Sequence, residues 1–241
     1  MLESEARDKI MVALDCDAER ALELAHELEG RASWLKVGMT LFYSEGPKIV
    51  EAMKRLGFKV FLDLKLHDIP HQVRGAARSA ALTGADLITV HGLGSSAMVA
   101  AALEGVGEAA AETGSERARV IAVTVLTSMD EAALEEIGVD RPVKEEATRL
   151  ASLAGVAGAD GVVCSPQEAS AMRELLGEDA LVVTPGVRPA GSALGDQSRV
   201  ATPASAVAAG ASHLVIGRPI TGSIDPVAAV EAIVSELVHG L

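Results

Sequence analysis

Eight short runs rich in β-branched residues recur along the chain, at 10–15, 34–39, 60–65, 87–91, 120–126, 161–164, 181–184 and 214–217. Ala-rich amphipathic stretches such as 18–28, 46–56 and 71–83 fill the intervals. Strand–helix alternation predicts parallel strands joined by right-handed crossovers. Eight such units within 241 residues predict an α/β fold, a single (β/α)8 TIM barrel spanning 1–241. An open doubly wound sheet is the competing arrangement. The strand count, and the lack of a Gly-x-Gly-x-x-Gly near the start, favour the closed form. Three junctions share one punctuation: Gly84-Ala85-Asp86, Gly158-Ala159-Asp160 and Gly210-Ala211-Ser212. Each reads as a helix ended by a glycine and followed at once by a buried strand.

Aromatic residues make up only 2% of the chain, so the core must be built from Ala, Val, Leu and Ile, as a barrel interior allows. The formal net charge of −13 argues against nucleic acid as a partner but leaves room for a small anion held by a few local cations. Residues 1–9 lack the apolar stretch of a signal peptide, and no apolar run is long enough to span a bilayer. A cytoplasmic protein without membrane contact is expected. Cys16 and Cys164 fall in no Cys-x-x-Cys or Cys/His cluster, so two reduced, buried thiols are expected and a structural metal is not.

Barrels bind ligands at the C-terminal ends of their strands. The polar residues there are Asp15, Lys36, Asp63, Lys65, His91, Thr127, Ser128, Arg188 and Arg218. Charged residues inside apolar strands are costly unless paired or functional. Asp63 and Lys65 stand two apart, so they share a face, and Leu62 and Leu64 take the other. A structural ion pair closing the barrel would explain that spacing. A prearranged charge array including Lys36 would explain it too. After strand eight, Gly217 lets the backbone approach an anion and Arg218 offers a forked donor. With Arg188 after strand seven, this end reads as a phosphate site. Gln197, in the loop beyond strand seven, could span a ligand. His67 and His71 lack metal-ligand spacing.

Taken together, Val12-Ala13-Leu14-Asp15, Lys36-Val37-Gly38, Asp63-Leu64-Lys65-Leu66-His67-Asp68-Ile69-Pro70, Val123-Thr124-Val125-Leu126-Thr127-Ser128, Pro185-Gly186-Val187-Arg188-Pro189, Gly195-Asp196-Gln197 and Ile216-Gly217-Arg218-Pro219 resemble the orotidine 5′-phosphate decarboxylase family over nearly the whole chain. The resemblance implies decarboxylation of orotidine 5′-phosphate (OMP) to UMP and CO2 in pyrimidine nucleotide biosynthesis, without metal or other cofactor. It implies a homodimer in which Asp68 and Ile69 complete the partner's site. Lys65 would be the proton donor in a catalytic set with Lys36, Asp63 and Asp68. Asp15, Lys36, Asp63, Ile69, Pro70, Gln72, Thr127, Arg188, Gln197, Gly217 and Arg218 would contact substrate. One departure is His71-Gln72, where the family often has Asn-Thr, so a longer amide replaces a hydroxyl near the ribose.

Related sugar-phosphate decarboxylases and hexulose-phosphate synthases resemble this chain in the Asp-x-Lys-x-x-Asp string. They use magnesium with an acidic ligand on strand two, where this chain has Lys36. A non-catalytic phosphate-binding barrel would explain Arg188 and Arg218 but not the Lys36–Asp63–Lys65 array.

Overall fold

The computed structural model describes residues 1–189 and 201–240. Eight parallel strands close into a barrel in sequence order: β1 (Ile10–Ala13), β2 (Trp34–Gly38), β3 (Lys59–Leu66), β4 (Leu87–His91), β5 (Arg119–Val123), β6 (Gly161–Val163), β7 (Leu181–Thr184) and β8 (His213–Ile216). Among the described residues, twelve helices accompany them: α1 (Glu3–Asp8), α2 (Ala18–Glu27), α3 (Met39–Glu45), α4 (Pro47–Arg55), α5 (Pro70–Leu82), α6 (Ser95–Thr113), α7 (Glu131–Glu136), α8 (Val143–Val156), α9 (Ala169–Leu176), α10 (Pro203–Ala208), α11 (Arg218–Thr221) and α12 (Pro226–His239). The closed eight-strand arrangement expected from the alternation is therefore present.

Strand alternation divides the core in two. Met11, Trp34, Phe61, Leu87, Ile121, Leu181, Val183 and Val215 fill the barrel interior. Their neighbours, such as Val12, Leu35, Leu62, Ile88, Val120 and Val182, pack outward against the helices. This is the period-two geometry of a strand with both faces buried.

The repeated punctuation does two jobs. Gly84, Gly158 and Gly210 have φ of +89°, +91° and +106°, a region that side-chain-bearing residues rarely enter. The third residue of each triplet then latches the preceding strand. The Asp86 carboxylate accepts from the Val60 N–H at 2.6 Å, the Asp160 carboxylate from Val120 at 2.7 Å, and the Ser212 hydroxyl from Val182 at 2.9 Å. In return the N–H groups of Asp86, Asp160 and Ser212 donate to the carbonyls of Val60, Val120 and Val182. Buried backbone groups at the barrel floor are thereby satisfied.

Several boundaries differ from the sequence expectation. Strands β1, β2 and β5 end at Ala13, Gly38 and Val123, short of the apolar runs that suggested them. Leu14 and Val125 lie past the strand ends yet stay buried. A separate helix, α3, precedes the expected one, and Gly46 at φ +68° divides the two. The acidic stretch after β5 holds α7 and the first turn of α8. Residues 166–168 form a turn, and α9 begins at Ala169. Both cysteines are free thiols. Among the described residues, no helix is long and apolar enough to cross a membrane.

Candidate active site

A cavity of about 570 Å³ opens at the C-terminal ends of the strands. Among the described residues its charged lining is Asp15, Lys36, Asp63, Lys65, Arg188 and Arg218, four basic against two acidic. It is thus a cationic pocket in a chain of net charge −13. Thr127 and Gly217 also line it.

The acids and lysines form one alternating chain. The Lys36 ammonium donates to Asp15 Oδ1 at 3.0 Å and lies 3.6 Å from Asp63 Oδ2. The Lys65 ammonium donates to Asp63 Oδ1 at 2.8 Å. Lys36 is only 7% exposed, so its charge is tolerable because carboxylates flank it on two sides. Burial alone would raise the Asp63 carboxyl. The charges of Lys36 and Lys65, with hydrogen bonds from Lys65 and Thr89, outweigh burial and hold it below its ordinary 3.8.

Local structure explains these placements. Phe61 belongs to the interior cluster, and Leu62 and Leu64 to the outer one, so Asp63 points inward. The β3–β4 register runs Leu62↔Ile88 and then Leu66↔Val90, so β3 carries two extra residues there. Lys65 sits in that bulge at φ +51°. Gly38 ends β2, where an added Cβ would stand 3.0 Å from Lys36 Nζ and 3.1 Å from Asp15 Oδ1. A side chain there would make the ion pair give by a few tenths of an ångström.

At the opposite wall, burial and then the charge of Arg218 lower the Arg188 guanidinium from its usual range. Two guanidinium groups whose charges act on each other at one end of a cavity suit a dianion. Beside Lys65, the rings of His67 and His91 stack with centroids 5.3 Å apart. Burial chiefly, then the charges of His67 and Lys65, lower His91 to about 4.

The cavity thus gathers Asp15, Lys36, Asp63, Lys65, Thr127, Arg188, Gly217 and Arg218. It does not gather Asp68, Ile69, Pro70 or Gln72, because β3 ends at Leu66 and the chain turns outward into α5. Ile69 is 63% exposed. Gln197 lies outside the described residues. Sequence reasoning missed Thr89, since a threonine amid Leu87-Ile88-Thr89-Val90 reads as one more β-branched core residue. It also missed the linings from Phe61, Met39 and Thr221.

Comparison with known proteins adds the following. A family model described as orotidine 5′-phosphate decarboxylase / HUMPS family matches residues 8–233. An orotidine 5′-phosphate decarboxylase of Halorhodospira halophila is 55% identical over 230 residues, 95% of each chain. One from Alkalilimnicola ehrlichii is 52% identical over 233 residues, 96% of this chain and 97% of the other. The crystal structure of orotidine 5′-phosphate decarboxylase from Lactobacillus acidophilus aligns with a TM-score of 0.84 at 39% identity, covering 95% of this chain and 99% of that one.

Proposed function

The chain belongs to the orotidine 5′-phosphate decarboxylase / HUMPS family, and from that premise we propose that Lys65, set by Asp63 and Lys36, carries out its chemistry without a metal. The reaction is the carboxy-lyase step of pyrimidine nucleotide synthesis, in which OMP loses CO2 to give UMP.

The observation that carries the reading is the alternating chain of Asp15, Lys36, Asp63 and Lys65 facing an arginine pair. Arg188, Arg218 and the Gly217 backbone take the phosphate, with Gln197 assigned to the same end. Asp15 and Lys36 take the ribose hydroxyls, and Thr127 the base edge. The C6–carboxylate bond breaks, its electron pair stays on C6, and CO2 departs. The Lys65 ammonium stabilises that charge and then passes a proton to C6, and solvent reprotonates the amine. A unit charge pair 4 Å apart is worth roughly 4 kcal/mol at an effective dielectric near 20, so one contact cannot carry the whole acceleration. Preorganisation of several charges, and remote binding energy from the phosphate, supply the rest. Asp63 already faces two ammonium groups, an environment hostile to a divalent cation.

Asp68 and Ile69 serve the neighbouring site of a homodimer, and Pro70 and Gln72, beside them, contact substrate. Their position outside the chain's own cavity, and the exposure of Ile69, support this. Residues 1–241 form one domain, working in the cytoplasm. Following OMP absorbance tests the reading. Conversion to UMP unaffected by EDTA, and lost in Lys65→Ala, is expected. Turnover that needs magnesium, or that survives Lys65→Ala, would overturn it.

A further inference from the structure

We propose that Thr89 is a positioning residue for the decarboxylation: its hydroxyl fixes the Lys65 backbone and the Asp63 carboxylate relative to one another. The inference rests on the decarboxylase reading for its kinetic arm and on geometry alone for its structural arm.

Thr89 lies on β4 and is completely buried. Leu87 belongs to the interior cluster while Ile88 and Val90 face the helices, so Thr89 points into the barrel. There it meets the bulge, where β3 advances from Leu62 to Leu66 as β4 advances only from Ile88 to Val90. A regular ladder would give the Lys65 N–H a β4 carbonyl. Here the N–H donates instead to Thr89 Oγ1 at 2.9 Å. The hydroxyl's own proton goes to Asp63 Oδ1 at 3.0 Å, the same oxygen that accepts from the Lys65 ammonium at 2.8 Å.

The directions of these bonds allow few substitutes. A backbone N–H can only donate and an ionised carboxylate can only accept, so the group between them must do both. A hydroxyl does this with one atom. The bond to the N–H also holds Lys65 at φ +51°, one of two non-glycine positive φ values among the described residues. A lysine left to itself would relax out of that region, and its ammonium would swing with the backbone. Thr89 does not line the cavity, so it acts only through Asp63 and Lys65.

The test compares Thr89→Val, nearly the same shape without the hydroxyl, with Thr89→Ser, which restores it. Displacing a reacting group by about 1 Å can lower a rate on the order of 10²-fold. A loss of that order in kcat is therefore expected for Thr89→Val, with KM for OMP little changed, because the phosphate and ribose contacts stand. Thr89→Ser should recover most of the rate. Asp63 loses a hydrogen bond to its charged form in Thr89→Val, so the acid limb of the pH–rate profile should move to higher pH. A purely structural role would not move that limb. A crystal structure of Thr89→Val should show the Lys65 ammonium displaced from Asp63. If Thr89→Val does not fold, Thr89→Ala carries the same measurements without added bulk. Unchanged kcat and acid limb, a Thr89→Ser as impaired as Thr89→Val, or a Lys65–Asp63 pair undisturbed in the variant structure would each overturn the proposal. Wild-type protein inert toward OMP would instead count against the decarboxylase reading, and the variant structure would still decide the role of Thr89.

Discussion

At the scale of single residues, the site is controlled as much by what is small as by what is charged. Lys36 reaches Asp15 and Asp63 because Gly38 has no side chain; a methyl there would sit 3.0 Å from the ammonium. Both atoms it meets are the paired ends of Lys36 and Asp15, so the pair must give by a few tenths of an ångström. Gly38→Ala is therefore expected to lower kcat/KM for OMP by about tenfold or more, the equivalent of about 1.4 kcal/mol in the transition state, with little change in melting temperature. Steady-state kinetics beside a thermal melt check this; normal kinetics would show that the ion pair tolerates the methyl. The lysines and Asp63 were legible in the sequence because charges inside apolar strands stand out and because the spacing of Asp63 and Lys65 matches the strand period. The bulge between them and β4 was not legible. Nothing in Asp63-Leu64-Lys65-Leu66 departs from alternation, and the left-handed Lys65 appears only once β4 fixes the register.

At the scale of elements, the three glycine triplets were read as helix ends, and the structure shows that they are also strand latches. The glycine signal was visible because a positive φ strongly selects that residue type. The latch was not, because a polar residue after a helix is ordinary in any loop. Asp160 makes the point sharply: one carboxylate accepts from the Val120 N–H and from both Arg117 nitrogens, at 2.6–2.9 Å. Asp160→Ala leaves a backbone donor at the barrel floor without its partner, a loss of about 1–3 kcal/mol. A lower denaturant midpoint with unchanged kcat is the expected result. The opposite pattern, loss of turnover without loss of stability, would mean that the floor of the barrel communicates with the site. Strand ends were the least legible feature. Apolar sequence continues through Leu14 and Val125, which stay buried past the strand ends, and composition does not distinguish a strand residue from a buried neighbour.

At the scale of the whole molecule, assembly and pH are each open to a direct test. If Asp68 serves a neighbouring copy, mixing Lys65→Ala with Asp68→Ala after reversible dissociation should restore turnover, to roughly a quarter of wild type for random reassortment. No recovery would place Asp68 in its own chain's site. The folded chain also holds two imidazoles that burial keeps neutral. His91 flanks Lys65, and His213 lies at the barrel floor, edge-on to Trp34 with ring centroids 5.7 Å apart. Burial is the main cause that lowers both to about 4, against an ordinary 6.5. Between those values the unfolded chain binds protons that the folded chain refuses. Stability therefore rises with pH through this window and falls on acidification, by about 1.4 kcal/mol per pH unit for each such group. Asp63 responds lower down, since its folded value lies below 3.8, so its stabilisation is lost only under stronger acid. The two effects separate by pH. His213→Gln, far from the cavity, should flatten the slope of stability between pH 4 and 6.5 by close to one proton while leaving kcat for OMP unchanged. Denaturant titrations across that range measure the slope directly. An unaltered slope would mean that His213 already takes up its proton in the folded barrel, and that the acid sensitivity belongs to His91 beside Lys65.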